Sequence, residues 1–427
     1  MPYSLTRTTF LALGLLLLGA CRRDFDVRLP DNRWEAFEAP GTAPLGASVA
    51  ARMEGVYTVA AGSDRFGADA VGKWSHTAAG ADTVFHFSLF FGKDISYLVL
   101  EGRRRDSTLL LHGYWRSMTG IETGAVRLTV TPEAGGRALL LGTAIGAGGL
   151  VLEGAYGDGN GTPDRPLRFS FDRPLAASRP LEIVAHRGGG TSADLLPASE
   201  NSLEILPYAA RFGATGVEID VRLTRDGVPV LYHDATLNER LIVKNGLVGP
   251  IENYTFAQLD GLVRLVRGNE RIPTLRAALE TILTRTPLRF VWLDTKFDAP
   301  IDGLRALQAE FQQRAAVLGR PLEIVIGIPD EQVLERFRAL PGHRDVPSLV
   351  ELETADAESV NARIWAPRWT LGLQNDKVAA MQAQGRRAFV WTLDLPENVA
   401  LFLREGRFDG ILSNYPTAVA YAHYIRP

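Results

Sequence analysis

The chain has 427 residues, enough for two domains or for one large domain with an appendage. Hydrophobic residues make up 46% of it, ample for a core, and 46 Lys and Arg against 49 Asp and Glu leave a formal charge of -3. Without a basic excess or a long basic run, a nucleic-acid partner is excluded.

The first twenty residues read as a targeting segment. Behind Arg7, the stretch from Phe10 to Leu18 is apolar but too short to span a bilayer as a stable helix, so residues 1–20 are expected to be a signal peptide. It ends in Leu18-Gly19-Ala20-Cys21, which resembles a bacterial lipoprotein processing site. Cys21 is the only cysteine, so no intramolecular disulfide can form, and its thiol is expected to carry a lipid. No second run of spanning length follows, so the mature chain is expected to be anchored to the bacterial cell envelope by that lipid alone, facing the periplasm or the cell surface. Residues 21–47 are rich in charge, Pro and Gly and are expected to form a tether.

Over residues 48–175 the pattern is β. Short apolar or alternating runs at 83–91, 95–101, 107–115, 124–131, 137–142, 150–156 and 167–171 are punctuated by Gly, Asp and Pro, as in antiparallel hairpins. An all-β sandwich or small barrel is expected. His76, His86 and His112 have no spacing that makes a metal site. Asp158 to Asp164 begins like a calcium loop, but Pro163 replaces the required Gly and Phe169 the closing Glu, so a plain turn is expected.

From residue 181 to 427 strand-like runs alternate with helix-length segments. Strands are expected at 181–185, 216–223, 228–233, 289–293, 322–328, 347–352, 364–366, 386–393 and 409–413, with helices at 202–212, 275–283, 301–318, 331–340, 377–384 and 396–404. About eight strands in β-α alternation predict a (β/α)8 TIM-type barrel, whose chemistry sits at the C-terminal strand ends.

The polar residues fall where that rule places them. His186-Arg187 follows the first strand, Glu218 and Asp220 lie along the second, His233-Asp234 ends the next run, and Asp294 and Lys296 close the run at 289–293. Residues two apart in a strand share a face, so Glu218 and Asp220 point one way while Val217, Ile219 and Val221 point the other. With Asp294 they offer three hard oxygen donors and no thiolate, a set that favours Mg2+ or Ca2+. Two histidines, His186 and His233, suit general acid–base work near neutral pH. Arg187 and Lys296 would stabilise an anion, and the combination suits cleavage of a phosphodiester.

His186-Arg187-Gly188, Glu200-Asn201, Glu218-Ile219-Asp220, Thr224-Arg225-Asp226-Gly227, His233-Asp234 and Asn414-Tyr415-Pro416 occur in the order that resembles the glycerophosphodiester phosphodiesterase family. The resemblance covers about residue 182 to the C-terminus. It implies a (β/α)8 fold and divalent-metal hydrolysis of glycerophosphodiesters. It further implies His186 and His233 as the acid–base pair, Glu218, Asp220 and Asp294 as metal ligands, and Arg187 and Lys296 as phosphate contacts. By the same resemblance Trp391 lines the substrate site and Glu200 is a site acid, a metal or network partner. Asp294 stands where Glu is common, and Asn414 where Asp is often found. The alternatives are phospholipase D-like action on a lysophospholipid or sphingolipid, and an inactive lipid- or glycan-binding lipoprotein. The β-domain contributes no ordered acidic or histidine cluster and is expected to stand outside the catalytic centre.

Overall fold

The structure, a computed structural model, describes residues 29–426 apart from residues 32, 81, 176–178, 195 and 268. The signal-peptide segment and Cys21 lie outside the described residues.

The N-terminal half is a closed antiparallel barrel. Its strands are β2 (Gly55–Ala61), β3 (Asp69–Ala79), β4 (Asp82–Phe91), β5 (Ser96–Arg105), β6 (Thr108–Ser117), β7 (Thr123–Val130), β8 (Val151–Tyr156) and β9 (Arg165–Arg173), while a short β1 (Ala43–Pro44) lies on β5. Neighbours pair in sequence, β9 returns to β2, and β5 also pairs β6, which completes the ring. Of the sandwich and the small barrel, the barrel is what forms. Closure removes the free edges that a sandwich would have to protect. Alternate strand side chains, among them Tyr57, Phe87, Phe91, Trp115 and Phe169, fill the interior together with Phe66 from the short helix Ser63–Phe66.

Two expectations are corrected here. The run at 137–142 is not a strand: Pro132–Gly136 forms a tight turn with Gly135 at φ 107°, and Arg137–Leu141 is a short helix that buries Leu139. The expected tether is also partly docked. The helix Glu35–Glu38 places Phe37 against the His112 ring at 3.9 Å, Arg103 lies over the Phe37 ring at 5.1 Å, and Leu45 is buried beside β5. Scattered aromatics in a polar stretch give no periodic signal, so only tertiary contact reveals the anchorage.

The C-terminal half is a closed parallel barrel of β10 (Glu182–Ala185), β11 (Gly216–Leu223), β15 (Phe290–Thr295), β16 (Glu323–Ile328), β17 (Ser348–Val350), β18 (Ile364–Trp365), β19 (Arg387–Val390) and β20 (Gly410–Ser413), with β20 and β11 both paired to β10. Helices follow most strands. Leu275–Arg285 and Glu331–Ala339 are N-capped by Thr274 and Asp330, which accept from backbone N–H groups left free in the first turn. The alternation read from the sequence holds: Val217, Ile219 and Val221 pack outward under the helices, while Val184, Trp292, Leu349 and Phe389 fill the barrel axis.

The run at 228–233 is the exception. Residues Pro229–Leu231 form β12, antiparallel to β11 and outside the ring of eight. It opens an insertion carrying the two-stranded pair β13 (Thr236–Leu237) and β14 (Gly249–Pro250) and the helix Phe256–Leu262, with Tyr232, Leu241, Ile251 and Val263 in a core of its own. An apolar run of this length looks the same whether its partner is parallel or antiparallel.

The two barrels share one continuous core. Val71, Phe90, Tyr97, Val99 and Met118 of the first pack into the same apolar cluster as Leu206, Ala210, Phe212 and Ala420 of the second. Tyr97 meets Phe212 edge-on with centroids 5.2 Å apart, and Arg173 donates to the Ile425 carbonyl at 2.6 Å. Gly213 sits at φ 90° where a β-carbon would come within 2.9 Å of the Phe90 ring, so this contact admits only glycine. Among the described residues no helix is long and apolar enough to cross a membrane.

Candidate active site

The carboxylates are placed by strand register. Asp220 on β11 is directly opposite Asp294 on β15, and Glu218 lies two residues earlier on the same inward face. Ligand atoms of Glu218, Asp220 and Asp294 lie within 4.8 Å of one another, and all three side chains are buried. One oxygen of each (Glu218 Oε1, Asp220 Oδ1, Asp294 Oδ1) has no hydrogen-bond partner. Lys296 follows on the same face, its Nζ 2.5 Å from Asp294 Oδ2 and 3.6 Å from Asp220 Oδ1.

The electrostatics follow from this crowding. Burial pushes the Glu218 carboxyl well above the usual range, and Asp220 and Asp294 push the same way. Burial also raises Asp294, against the pull of Lys296. For Asp220 burial is outweighed by Lys296, His233 and Arg187, which together hold it below its ordinary value. Lys296 is in turn raised, because Asp294 and Asp220 more than offset its own burial. Lys296 and Arg187, the latter 3.7 Å from Asp220 Oδ2, offset part of the charge of the three acids, but burial and mutual repulsion still hold Glu218 and Asp294 up, so the protein alone leaves the cluster short of positive charge.

The two histidines line the same cavity as the cluster, each fixed through Nδ1. His186, in the turn after β10, has Nδ1 2.7 Å from Asn414 Oδ1 and Nε2 3.8 Å from Glu218 Oε2. Asn414 Nδ2 donates to Asp394 Oδ2 at 2.7 Å, which turns the Asn414 carbonyl toward the ring. Nδ1 of His186 is therefore the protonated nitrogen and Nε2 the free one. Burial, aided by Arg187, lowers the His186 pKa to about 4. His233 Nδ1 lies 2.6 Å from Asp234 Oδ1, and Asp234 is held in its ionised form by Arg240, His233 and Asn238 against its own burial.

Arg187 and Glu200 tie the halves of the mouth together. Arg187 sits at φ 51° in the left-handed region, donates its backbone N–H to Glu218 Oε2 at 2.9 Å, and pairs Nη1 with Glu200 Oε1 at 2.9 Å. Glu200 also receives Arg240 at 2.9 and 3.2 Å, so it is a network partner that stands outside the carboxylate trio. Asn201, also left-handed at φ 57°, donates to Asp220 Oδ2 at 2.8 Å. Two strained residues in one loop are held by the carboxylates they orient.

His186, Arg187, Glu218, His233, Asp294, Lys296 and Trp391 line one cavity of about 360 Å3 at the C-terminal end of the barrel. Every residue expected for the site from the sequence, apart from Cys21, thus lies in the mouth or directly behind it, and among the described residues none of the antiparallel barrel reaches the lining. A larger apolar hollow of about 620 Å3 lies beside Phe297 and Leu304, and the ionisable pair in its lining, Arg276 and Glu310, is bonded to itself. Sequence reasoning missed Glu351, Arg368 and Trp292 in the lining and the supporting Asp394 and Arg240. Glu351 and Asp394 directly follow or lie near strand ends, so the rule that found Asp294 could have found them. Arg240 lies in the irregular insertion, where no periodicity marks it.

Fold and site together define a (β/α)8-barrel enzyme whose mouth combines buried carboxylates with two oriented imidazoles. The chain belongs to the glycerophosphoryl diester phosphodiesterase family, whose model matches residues 186–418. It is 34% identical over 163 residues to glycerophosphodiester phosphodiesterase 1 of Rattus norvegicus, covering 34% of this chain and 46% of that protein. The chain thus spans about half the length of that relative. It is 23% identical over 242 residues to a glycerophosphodiester phosphodiesterase of Caldanaerobacter subterraneus subsp. tengcongensis, covering 55% of this chain and 94% of that one. Among solved structures, a glycerophosphodiester phosphodiesterase from Parabacteroides distasonis is similar at 22% identity and a TM-score of 0.45, over 58% of this chain and 98% of that one. An Oleispira antarctica phosphodiesterase in complex with the product sn-glycerol-3-phosphate is similar at 24% identity and a TM-score of 0.42, over 56% and 96%.

Proposed function

We propose that this protein hydrolyses a glycerophosphodiester to glycerol phosphate and an alcohol, with a divalent cation held by Glu218, Asp220 and Asp294. The observation that carries this reading is the convergence of three buried carboxylate oxygens that accept no hydrogen bond with two histidines, each fixed through Nδ1. Three hard oxygens in a site short of positive charge fit Mg2+ or Ca2+. Such a cation, when bound, supplies the charge stabilisation that a phosphodiester needs as its bonds rearrange. The family membership and the names of the rat and Caldanaerobacter relatives support the substrate class.

The residues divide the work. Arg187 and Lys296 bind the phosphate oxygens, Arg187 held in place by Glu200. His186 is kept neutral by burial and by an uncharged partner, so its Nε2 takes the proton from the attacking hydroxyl or water. His233, backed by the Asp234 carboxylate, gives a proton to the departing alkoxide oxygen as the P–O bond breaks. The net change adds one water across one P–O bond. Turnover of glycerophosphocholine with and without a chelator tests the proposal: release of glycerol phosphate that stops on chelation and returns with Mg2+ or Ca2+ is expected, and no release under any metal would overturn it. We also propose that Cys21 carries a lipid anchor, which Cys21→Ser would abolish, moving the protein from the membrane fraction to the soluble one.

A further inference from the structure

Glu351 is an acid in the catalytic mouth that has no role in the account above. It follows β17, its backbone N–H donates to the Ile328 carbonyl at 3.1 Å, and its side chain lines the cavity with Asp294, Lys296, Arg368 and Trp391. It stands outside the trio whose ligand atoms cluster within 4.8 Å. The supporting acids Glu200, Asp234 and Asp394 have partners: Glu200 pairs with Arg187 and Arg240, Asp234 with His233 and Arg240, and Asp394 with Asn414. Glu351 Oε1 is sealed from solvent and has no hydrogen-bond partner among the described residues. A buried acceptor without a donor is unfavourable until something supplies one. Arg368 does not do so through this oxygen; its guanidinium lies over the Trp391 ring at 4.7 Å, on the same side of the mouth.

That arrangement restricts what can meet Glu351. With Arg368 on one face of the indole, a quaternary ammonium finds that face taken, whereas an O–H or N–H donor can still meet the carboxyl oxygen of Glu351. Given the phosphodiester reading of the cavity, on which this inference rests, we propose that Glu351 accepts a hydrogen bond from a donor on the substrate beside the phosphate. That donor is either a hydroxyl of the glycerol unit or the primary ammonium of a head group. Glu351 is on this view a specificity residue that touches substrate and takes no part in proton transfer.

The test is binding, which needs no turnover. Affinities of sn-glycerol 3-phosphate, phosphoethanolamine and methyl phosphate would be measured calorimetrically on the wild-type protein, Glu351→Gln and Glu351→Ala, all saturated with Mg2+. Methyl phosphate shares the phosphate and carries no donor. We expect Glu351→Ala to weaken one or both donor-bearing ligands roughly tenfold or more, while methyl phosphate stays within about twofold. Loss confined to glycerol 3-phosphate identifies the hydroxyl as the source, and loss confined to phosphoethanolamine identifies the ammonium. Glu351→Gln keeps the side-chain volume should the alanine variant fail to fold, and it is expected to weaken phosphoethanolamine more than glycerol 3-phosphate if both bind there. Equal loss for all three ligands, no loss for any, or a fall in Mg2+ affinity would overturn the assignment. Donor-selective binding without turnover of any glycerophosphodiester would overturn the proposed hydrolysis and leave Glu351 as assigned.

Discussion

Asn414 offers His186 a carbonyl oxygen at 2.7 Å, and it does so because Asp394 binds the other end of the amide. A neutral amide fixes the tautomer without adding charge, and buried His186 stays low, at about 4. Asn414→Asp would put a carboxylate at the same distance, which favours the imidazolium and is expected to raise the His186 pKa by at least about one unit. A base works only when deprotonated, so activity rises as pH passes through its pKa. The acidic limb of the kcat/KM profile should therefore move to higher pH in this variant. An unmoved limb would show that His186 is not the base.

His186→Ala and His233→Ala are each expected to lower kcat by at least about 10²-fold with the fold retained, since each removes one of the two proton carriers. Asp234→Asn keeps the geometry behind His233 and removes only the charge, so a smaller loss is expected, on the order of tenfold. Steady-state kinetics with circular dichroism as a folding control would separate these cases. Near-normal turnover in either alanine variant would remove the acid–base assignment.

The carboxylate trio predicts a link between cation and stability. Because burial and Asp220 hold Glu218 up while Lys296 is shared between Asp220 and Asp294, a divalent cation relieves repulsion present only in the folded state. At a free concentration about 100-fold above Kd, Mg2+ or Ca2+ should add about 2.7 kcal/mol of stability, visible as a higher Tm in scanning calorimetry. Asp294→Asn should lose most of both the shift and the activity, whereas Asp294→Glu, one methylene longer, should retain part. Full activity after exhaustive chelation would rule out the metal.

The contact between the barrels predicts cooperative unfolding. Phe90 is fully buried against the (β/α)8 barrel, so Phe90→Ala should cost about 3–5 kcal/mol. Both halves should still melt in one transition, which calorimetry would show directly. A chain starting at Pro180 would expose Phe212, Ala210 and Leu206, and is expected to melt lower or aggregate. Two well-separated transitions in the intact chain would mean that the shared core does not couple the halves.

Which residues gather at the mouth was legible in the sequence because strand parity and strand ends are local properties. Two-residue spacing puts Glu218 and Asp220 on one face whatever lies beside them, and a polar pair after an apolar run marks where a barrel strand opens to its mouth. The parallel barrel followed from alternation, and the ordered motifs from His186 to Asn414 carried the family. Tertiary structure alone decided the rest. Register brought Asp220 opposite Asp294, 74 residues further along the chain, and pairing direction made β12 a hairpin arm outside the ring. The orientation of Asn414 depends on Asp394, the docking of residues 35–45 depends on Phe37 finding His112, and the union of the barrels depends on Gly213 admitting Phe90. Each of these is a contact between segments far apart in the chain, and periodicity, which reports only on near neighbours, carries no record of which distant partner a residue will meet.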